Sequence, residues 1–170
     1  MSTPEFVLKH PCGLTISRRL AESDVVAVLG TTKNDMGTGF VWYSLPLATI
    51  HGSQVAMSLC FLQSLLEHVH FALTDPALYS PSWSDWSEDR ERLRAKHTED
   101  WLRTLGYPTG TFTWGEVWAG YDCKGVAGGG GVRYLSSQSP EPSAVDESSS
   151  APRSASNVGV DPLPDRSASK

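Results

Sequence analysis

The chain has 170 residues, of which 39% are hydrophobic and 19% charged, and its formal net charge is −5. That mildly acidic balance argues against nucleic acid or an anionic membrane as partner and leaves a basic protein partner open. Cys12, Cys60 and Cys123 are widely spaced and form no CxxC pair or zinc-ribbon pattern. Free thiols in a reducing cytosol are the expected state, with one bridge plus a spare thiol as the alternative.

In chain order, Met1 to His10 lacks a basic start and a long apolar core, so no secretory signal is expected there. Phe6 to Leu8 reads as a short strand, stopped by Pro11 and Gly13. Ser23-Asp24 offers an N-cap for a short helix over Val25 to Leu29, with Gly30 as its terminator. Asn34 to Gly39 is turn chemistry, and Phe40-Val-Trp-Tyr43 has the β-branched and aromatic content of a strand. Pro46 closes that strand, and His51-Gly52-Ser53 marks another turn.

Val55 to Leu73 admits two readings. Val55, Met57, Leu59 and Phe61 alternate with smaller or polar residues, as do Val69, Phe71 and Leu73, which predicts two strands joined by a loop over Leu62 to Glu67. A single long helix competes, because neither Gly nor Pro interrupts the run and Leu59, Leu62, Leu66, Val69 and Leu73 also recur at helical spacing. The two-strand reading is preferred. Polar Ser58, Gln63, Ser64, Glu67, His68 and His70 argue against a membrane span.

Asp85-Trp-Ser-Glu88 has the spacing of a capping box, with Asp85 at the N-cap. The charged stretch that follows predicts an amphipathic helix to Leu105, with Leu93, His97, Trp101 or Leu102, and Leu105 on one face. Gly106 and Pro108 stop it. Thr111 to Tyr121 then reads as one strand presenting Phe112, Trp114, Glu116 and Trp118 on one face. A turn at Asp122 to Gly125 leads into an antiparallel return over Val126 to Leu135. That return contains Gly128 to Gly131, which weakens it as a strand and suggests that order fades toward its end.

All 16 aromatic residues precede Leu135, whereas Ser136 to Lys170 contains 11 Ser and 5 Pro. So little apolar surface does not offset the ordering entropy of about 1–2 kcal/mol per residue. The expected organisation is a globular domain over residues 1–135 and a disordered tail over 136–170. The domain is expected to be α+β, an antiparallel sheet of about five strands with one long and one short helix.

No residue pattern carries a recognisable chemistry. The glycine run lacks the Lys-Ser/Thr of a phosphate loop, and reads better as a strand that lets the faces of Trp114 and Trp118 approach. His68 and His70 share one side of a strand, but two further zinc ligands, from Cys60 or His97, have no supporting spacing. His51, Asp35 and Ser53 lack a nucleophile elbow, and Glu116 with Asp122 is an ordinary pair of surface carboxylates. No catalytic residue, metal or cofactor is therefore assigned. Six tryptophans are the more informative feature, since Trp buries a large area with little rotamer loss. Core packing is the ordinary explanation, and Trp101 is expected to face inward. Trp83 and Trp86 in the Ser/Asp-rich connection are the leading partner-binding residues, followed by Trp118 and Glu116.

The short helix ending Val28-Leu-Gly30, the helix ending Trp101-Leu-Arg-Thr-Leu-Gly106 and the segment Phe112-Thr-Trp-Gly-Glu-Val-Trp118 to Tyr121-Asp-Cys-Lys-Gly125 form a familiar order. In this texture the chain resembles small uncharacterised bacterial cytosolic proteins, a group that includes immunity proteins of toxin–immunity pairs. The resemblance implies a non-enzymatic, cytoplasmic protein-binding module that neutralises a partner by occluding its surface. The alternatives are an enzyme or small-ligand protein with a Trp/His-lined pocket, and a degenerate fragment without autonomous activity.

Overall fold

The computed structural model describes residues 3–76, 79 and 82–135, with the side chain of Trp83 excepted. The expected tail from Ser136 lies outside the described residues. Among the described residues, ten strands and two α-helices follow one another: β1 (Leu8–Lys9), β2 (Thr15–Ile16), α1 (Glu22–Val26), β3 (Thr32–Asp35), β4 (Phe40–Ser44), β5 (Ala48–Ile50), β6 (Ser53–Leu62), β7 (Leu65–Leu73), α2 (Glu88–Thr104), β8 (Gly110–Phe112), β9 (Gly115–Asp122) and β10 (Ala127–Tyr134). β1 and β2 pair with each other. The other eight form one sheet in the order β3-β4-β6-β7-β10-β9-β8, with β5 on β6, and every pairing is antiparallel. The α+β class is thus as expected, but five strands is an undercount. The extra ones are short: β3 is exposed throughout, and β5 and β8 have three residues each.

The Val55 to Leu73 stretch forms two strands, β6 and β7. Their connection is only Gln63-Ser64, both with left-handed backbone (φ 50° and 63°), the geometry that matches sheet twist in two-residue hairpins. The Ser64 hydroxyl donates to Glu22 Oε2 at 2.7 Å and the Tyr43 hydroxyl to Glu22 Oε1 at 2.7 Å. These bonds hold α1 against the hairpin and draw the Glu22 carboxyl below its ordinary pKa.

Both helix starts differ from expectation. α1 begins at Glu22 behind Ala21, which supplies no side-chain cap, and it ends at Val26 rather than Leu29. α2 is capped by Ser87, whose hydroxyl accepts from the Arg90 amide at 3.3 Å; Asp85 instead closes a one-turn 3-10 helix over Trp83–Asp85. The end of α2 is as expected. Gly106 sits at φ 89°, its amide donates to Arg103 O, and Tyr107 N–H reaches back to Leu102 O, so that orphan carbonyls are satisfied.

The buried face of α2 is Glu91, Ala95, Thr98, Trp101 and Leu102, while Leu93, expected inside, is 45% exposed. The glycine strand is the reason. A Cβ on Gly128 would lie 1.8 Å from Glu91 O and 3.0 Å from Ala95 N, and one on Gly130 would lie 2.9 Å from Thr98 Cγ2. The helix backbone therefore rests on bare strand, and only small side chains fit between them. β10 is not a fading edge but lies between β7 and β9, and it ends on Tyr134, which is buried. Beside α2, the core is completed by Phe6, Leu59, Phe61, Val69, Phe71 and Val132. Trp101 is buried as expected, its Nε1–H donating to Ile50 O at 3.2 Å.

Thr111 to Tyr121 is not one strand. The chain turns at Thr113-Trp114 between β8 and β9. Trp114 consequently faces the core, stacked on Phe112 at 5.2 Å and donating to Thr3 O at 3.2 Å, and does not share a face with Glu116 and Trp118. No described helix is long and apolar enough to cross a membrane.

Candidate functional site

Strand alternation places one residue in two on the sheet face opposite α2. Registers carry a row across it from Asn34 through Trp42, Cys60, His68 and Arg133 to Glu116. The adjacent row runs Thr32, Ser44, Ser58, His70, Gly131, Trp118. α2 is the one described α-helix packed extensively on the sheet, and it lies against β7, β9 and β10 from the core side, so this second face is open among the described residues.

Its centre is a cluster of rings. Trp42 lies nearly parallel to His68, with centroids 6.4 Å apart, and edge-on to His70 at 4.7 Å; His70 meets Trp118 edge-on at 5.3 Å. Trp118 reaches inward because Gly131 has no side chain: a Cβ there would lie 2.8 Å from the indole Nε1. All four rings are half-buried. Burial, the nearby His68 and Arg133 bring the His70 pKa down to about 4. Burial, followed by Arg133, also lowers that of His68. Both imidazoles are thus neutral at pH 7, and the cluster is an uncharged aromatic surface. At its rim Glu116 and Arg133 approach to 3.7 Å as an exposed pair, which contributes little to stability. Cys60 lies beside these rings, 1% exposed, and burial, with Glu67, pushes its thiol up to about 11, so it is a poor nucleophile.

The sequence-derived residues separate onto two sides. Glu116 and Trp118 belong to the open face, where they join Trp42, His68 and His70. Trp86 lies on the α2 side and is 40% exposed. The backbone of Trp83 opens the 3-10 turn; the expectation for its side chain lies outside the described residues. Trp42 was missed as a site residue because its strand was visible in the sequence while the facing of that strand was not.

On the α2 side a cavity of about 610 Å³ opens between the first turns of α2, the β9–β10 turn and the ends of β6 and β7. Trp86 forms one wall, its Nε1–H donating to Val126 O at 2.9 Å. Val126 sits at φ 47°, a left-handed conformation rare for a β-branched residue and costing on the order of 1–3 kcal/mol. Tyr79 lines the inner side under the Arg94 guanidinium, 4.6 Å from its ring, and its hydroxyl meets His97 Nδ1 at 2.5 Å. Glu91, 6% exposed, is ion-paired with Arg94 Nη1 at 3.1 Å and accepts from the Gly128 amide at 2.8 Å.

Among the described residues, the groups weighed for catalysis occupy turn and strand positions. His51 is an exposed left-handed turn residue at φ 48°, and Asp35 accepts from the Gly37 amide at 2.9 Å to close its own turn. Glu116 and Asp122 sit at opposite ends of β9, six residues or roughly 20 Å apart, too far to share a proton. His68 stands opposite Cys60 in the sheet, yet among the described residues no group of three or more His, Cys, Asp or Glu side chains converges as a metal site. No protein-family model, curated protein or solved structure matches the chain.

Proposed function

We propose that the chain is a non-enzymatic protein-binding module whose docking surface is the open sheet face, and that its partner presents a basic surface. The observation that carries this reading is the cluster of Trp42, His68, His70 and Trp118, uncharged at pH 7 and central on a sheet face without a described helix over it. Large rigid rings surrounded by polar groups are the composition of interface centres. The net charge of −5 favours a cationic partner by steering. An immunity-type role, in which the partner is a toxic enzyme blocked by occlusion, is the most concrete form of the proposal.

The test is affinity capture by the full chain from native lysate, with identification of any stoichiometric partner. The native chain and Trp86→Ala should retain one basic protein that Trp118→Ser loses, and co-expression should relieve any toxicity of that protein. Capture of nothing stoichiometric, or equal capture by Trp118→Ser, would reject the open face as the docking surface.

A further inference from the structure

The cavity beside α2 is on the opposite side of the sheet from the proposed docking surface and has its own chemistry. Its volume of about 610 Å³ is in the range of small-molecule sites, roughly 300–1,000 Å³. Because the Trp86 Nε1–H is committed to Val126 O, what the indole offers to the cavity is apolar ring surface. Leu47 and Pro76 also line the cavity and extend its apolar walls.

Four charged residues border the space: Asp85, Arg90, Glu91 and Arg94. Glu91 and Arg94 neutralise each other in the wall, and the second claim on Glu91 Oε2 is the Gly128 amide. The Asp85 carboxylate accepts from the Ser84 hydroxyl at 3.5 Å. Arg90 is different. Its Nη1 donates to the backbone carbonyl of Asp85 at 3.1 Å, and among the described residues it enters no ion pair. The cavity therefore combines an aromatic wall with a guanidinium that has donors left over.

We propose that this cavity is a binding site for a small planar aromatic carboxylate, with the ring system against Trp86 and the carboxylate on Arg90. A carboxylate matches the planar fork of guanidinium bidentately. An uncharged arene would use the wall alone and forgo the charge-assisted hydrogen bonds. The site is independent of the open face.

Isothermal titration of the full chain with naphthalene-2-carboxylate and with its neutral isostere, naphthalene-2-carboxamide, tests the assignment. The carboxylate should bind about tenfold more tightly, the least expected of a hydrogen bond to a charged group. Arg90→Gln, on an exposed part of α2, should bring the two probes to within about twofold of each other, and Trp86→Ala should weaken both. Trp118→Ser should change neither affinity. The proposal is overturned if neither probe binds, if the native chain does not prefer the carboxylate, if Arg90→Gln keeps the preference, or if Trp118→Ser abolishes binding.

Discussion

The two faces of the main sheet carry aromatic residues in different ways. On the α2 side Trp101, Phe71 and Tyr134 are buried under a helix or the N-terminal segment, and their polar atoms are committed, Trp101 Nε1 to Ile50 O and the Tyr134 hydroxyl to Phe6 O. On the other side Trp42, His68, His70 and Trp118 are covered mainly by each other. Strand β10 serves both arrangements with three of its four consecutive glycines. Gly128 admits the α2 backbone, Gly130 the Thr98 side chain, and Gly131 the Trp118 ring. An aromatic group therefore acquires its role from what the opposing element leaves uncovered, and here that element is a helix that reaches only part of an eight-stranded sheet.

The strongest way to break this comparison is Gly128→Ala. The new Cβ would meet Glu91 O at 1.8 Å, and both sides of that contact are backbone, so neither can yield by changing a rotamer. Either α2 lifts off β10 or the strand is displaced, and the Glu91 contact to the Gly128 amide is lost with it. The expected loss is at least about 3 kcal/mol by urea unfolding, the upper range for overpacking. A change below 1 kcal/mol would mean that α2 does not lie on the glycine strand.

A smaller effect separates the faces by pH. The His70 pKa falls from 6.5 to about 4 in the folded protein, chiefly through burial. Below pH 6.5 the unfolded chain takes up a proton that the folded one refuses until near pH 4, so stability is fully present above pH 6.5 and declines as pH falls through that window. His68 and His10 are shifted in the same direction and add to the slope. Glu22, held low by its hydrogen bonds, adds an acid-side loss at lower pH. The His70 share, discounted for its partial exposure, is on the order of 1–2 kcal/mol. His70→Phe keeps a ring between Trp42 and Trp118 but cannot titrate. Urea midpoints measured at pH 7.0, 5.5 and 4.5 should fall less steeply for this variant than for the native chain; parallel curves would remove His70 from the account.

What could be read in the sequence was local and periodic. The alternation of Val55, Met57, Leu59 and Phe61 marked β6, and Gly106 before Pro108 marked the end of α2, because in both cases the deciding physics lies within a few residues. A loop was expected at Leu62 to Glu67, but its shortness, only Gln63-Ser64, was not legible, because neither residue is the Asn or Gly that usually accepts a left-handed conformation and the support comes from Glu22, far away in sequence. Polar β3 and the three-residue β8 acquire strand structure only by pairing with β4 and β9. The site was legible in part. Trp118 and Glu116 could be picked by residue type, but their grouping with Trp42 and His70 depends on registers across five strands. Trp86 went with them in the sequence and lies elsewhere in the fold, since alternation around a turn does not say which side of a sheet the turn approaches.

The smallest effect is the most discriminating. Gly120 stands opposite Gly129 in the β9–β10 pair, and a Cβ on it meets nothing within 4 Å. Its backbone is not left-handed, so alanine adopts it without strain. Gly120→Ala should therefore stabilise the fold by about 0.4–1 kcal/mol, through the reduced freedom of the unfolded chain rather than through any new contact. Gly128→Ala and Gly120→Ala make the same chemical change in adjacent strands of one sheet, and they are expected to have opposite signs only because α2 closes one face and leaves the other open. A slightly higher urea midpoint with an unchanged slope would sharpen that distinction. Destabilisation beyond 1 kcal/mol would mean that something packs over Gly120, and an occupied face could not serve as the docking surface proposed for it.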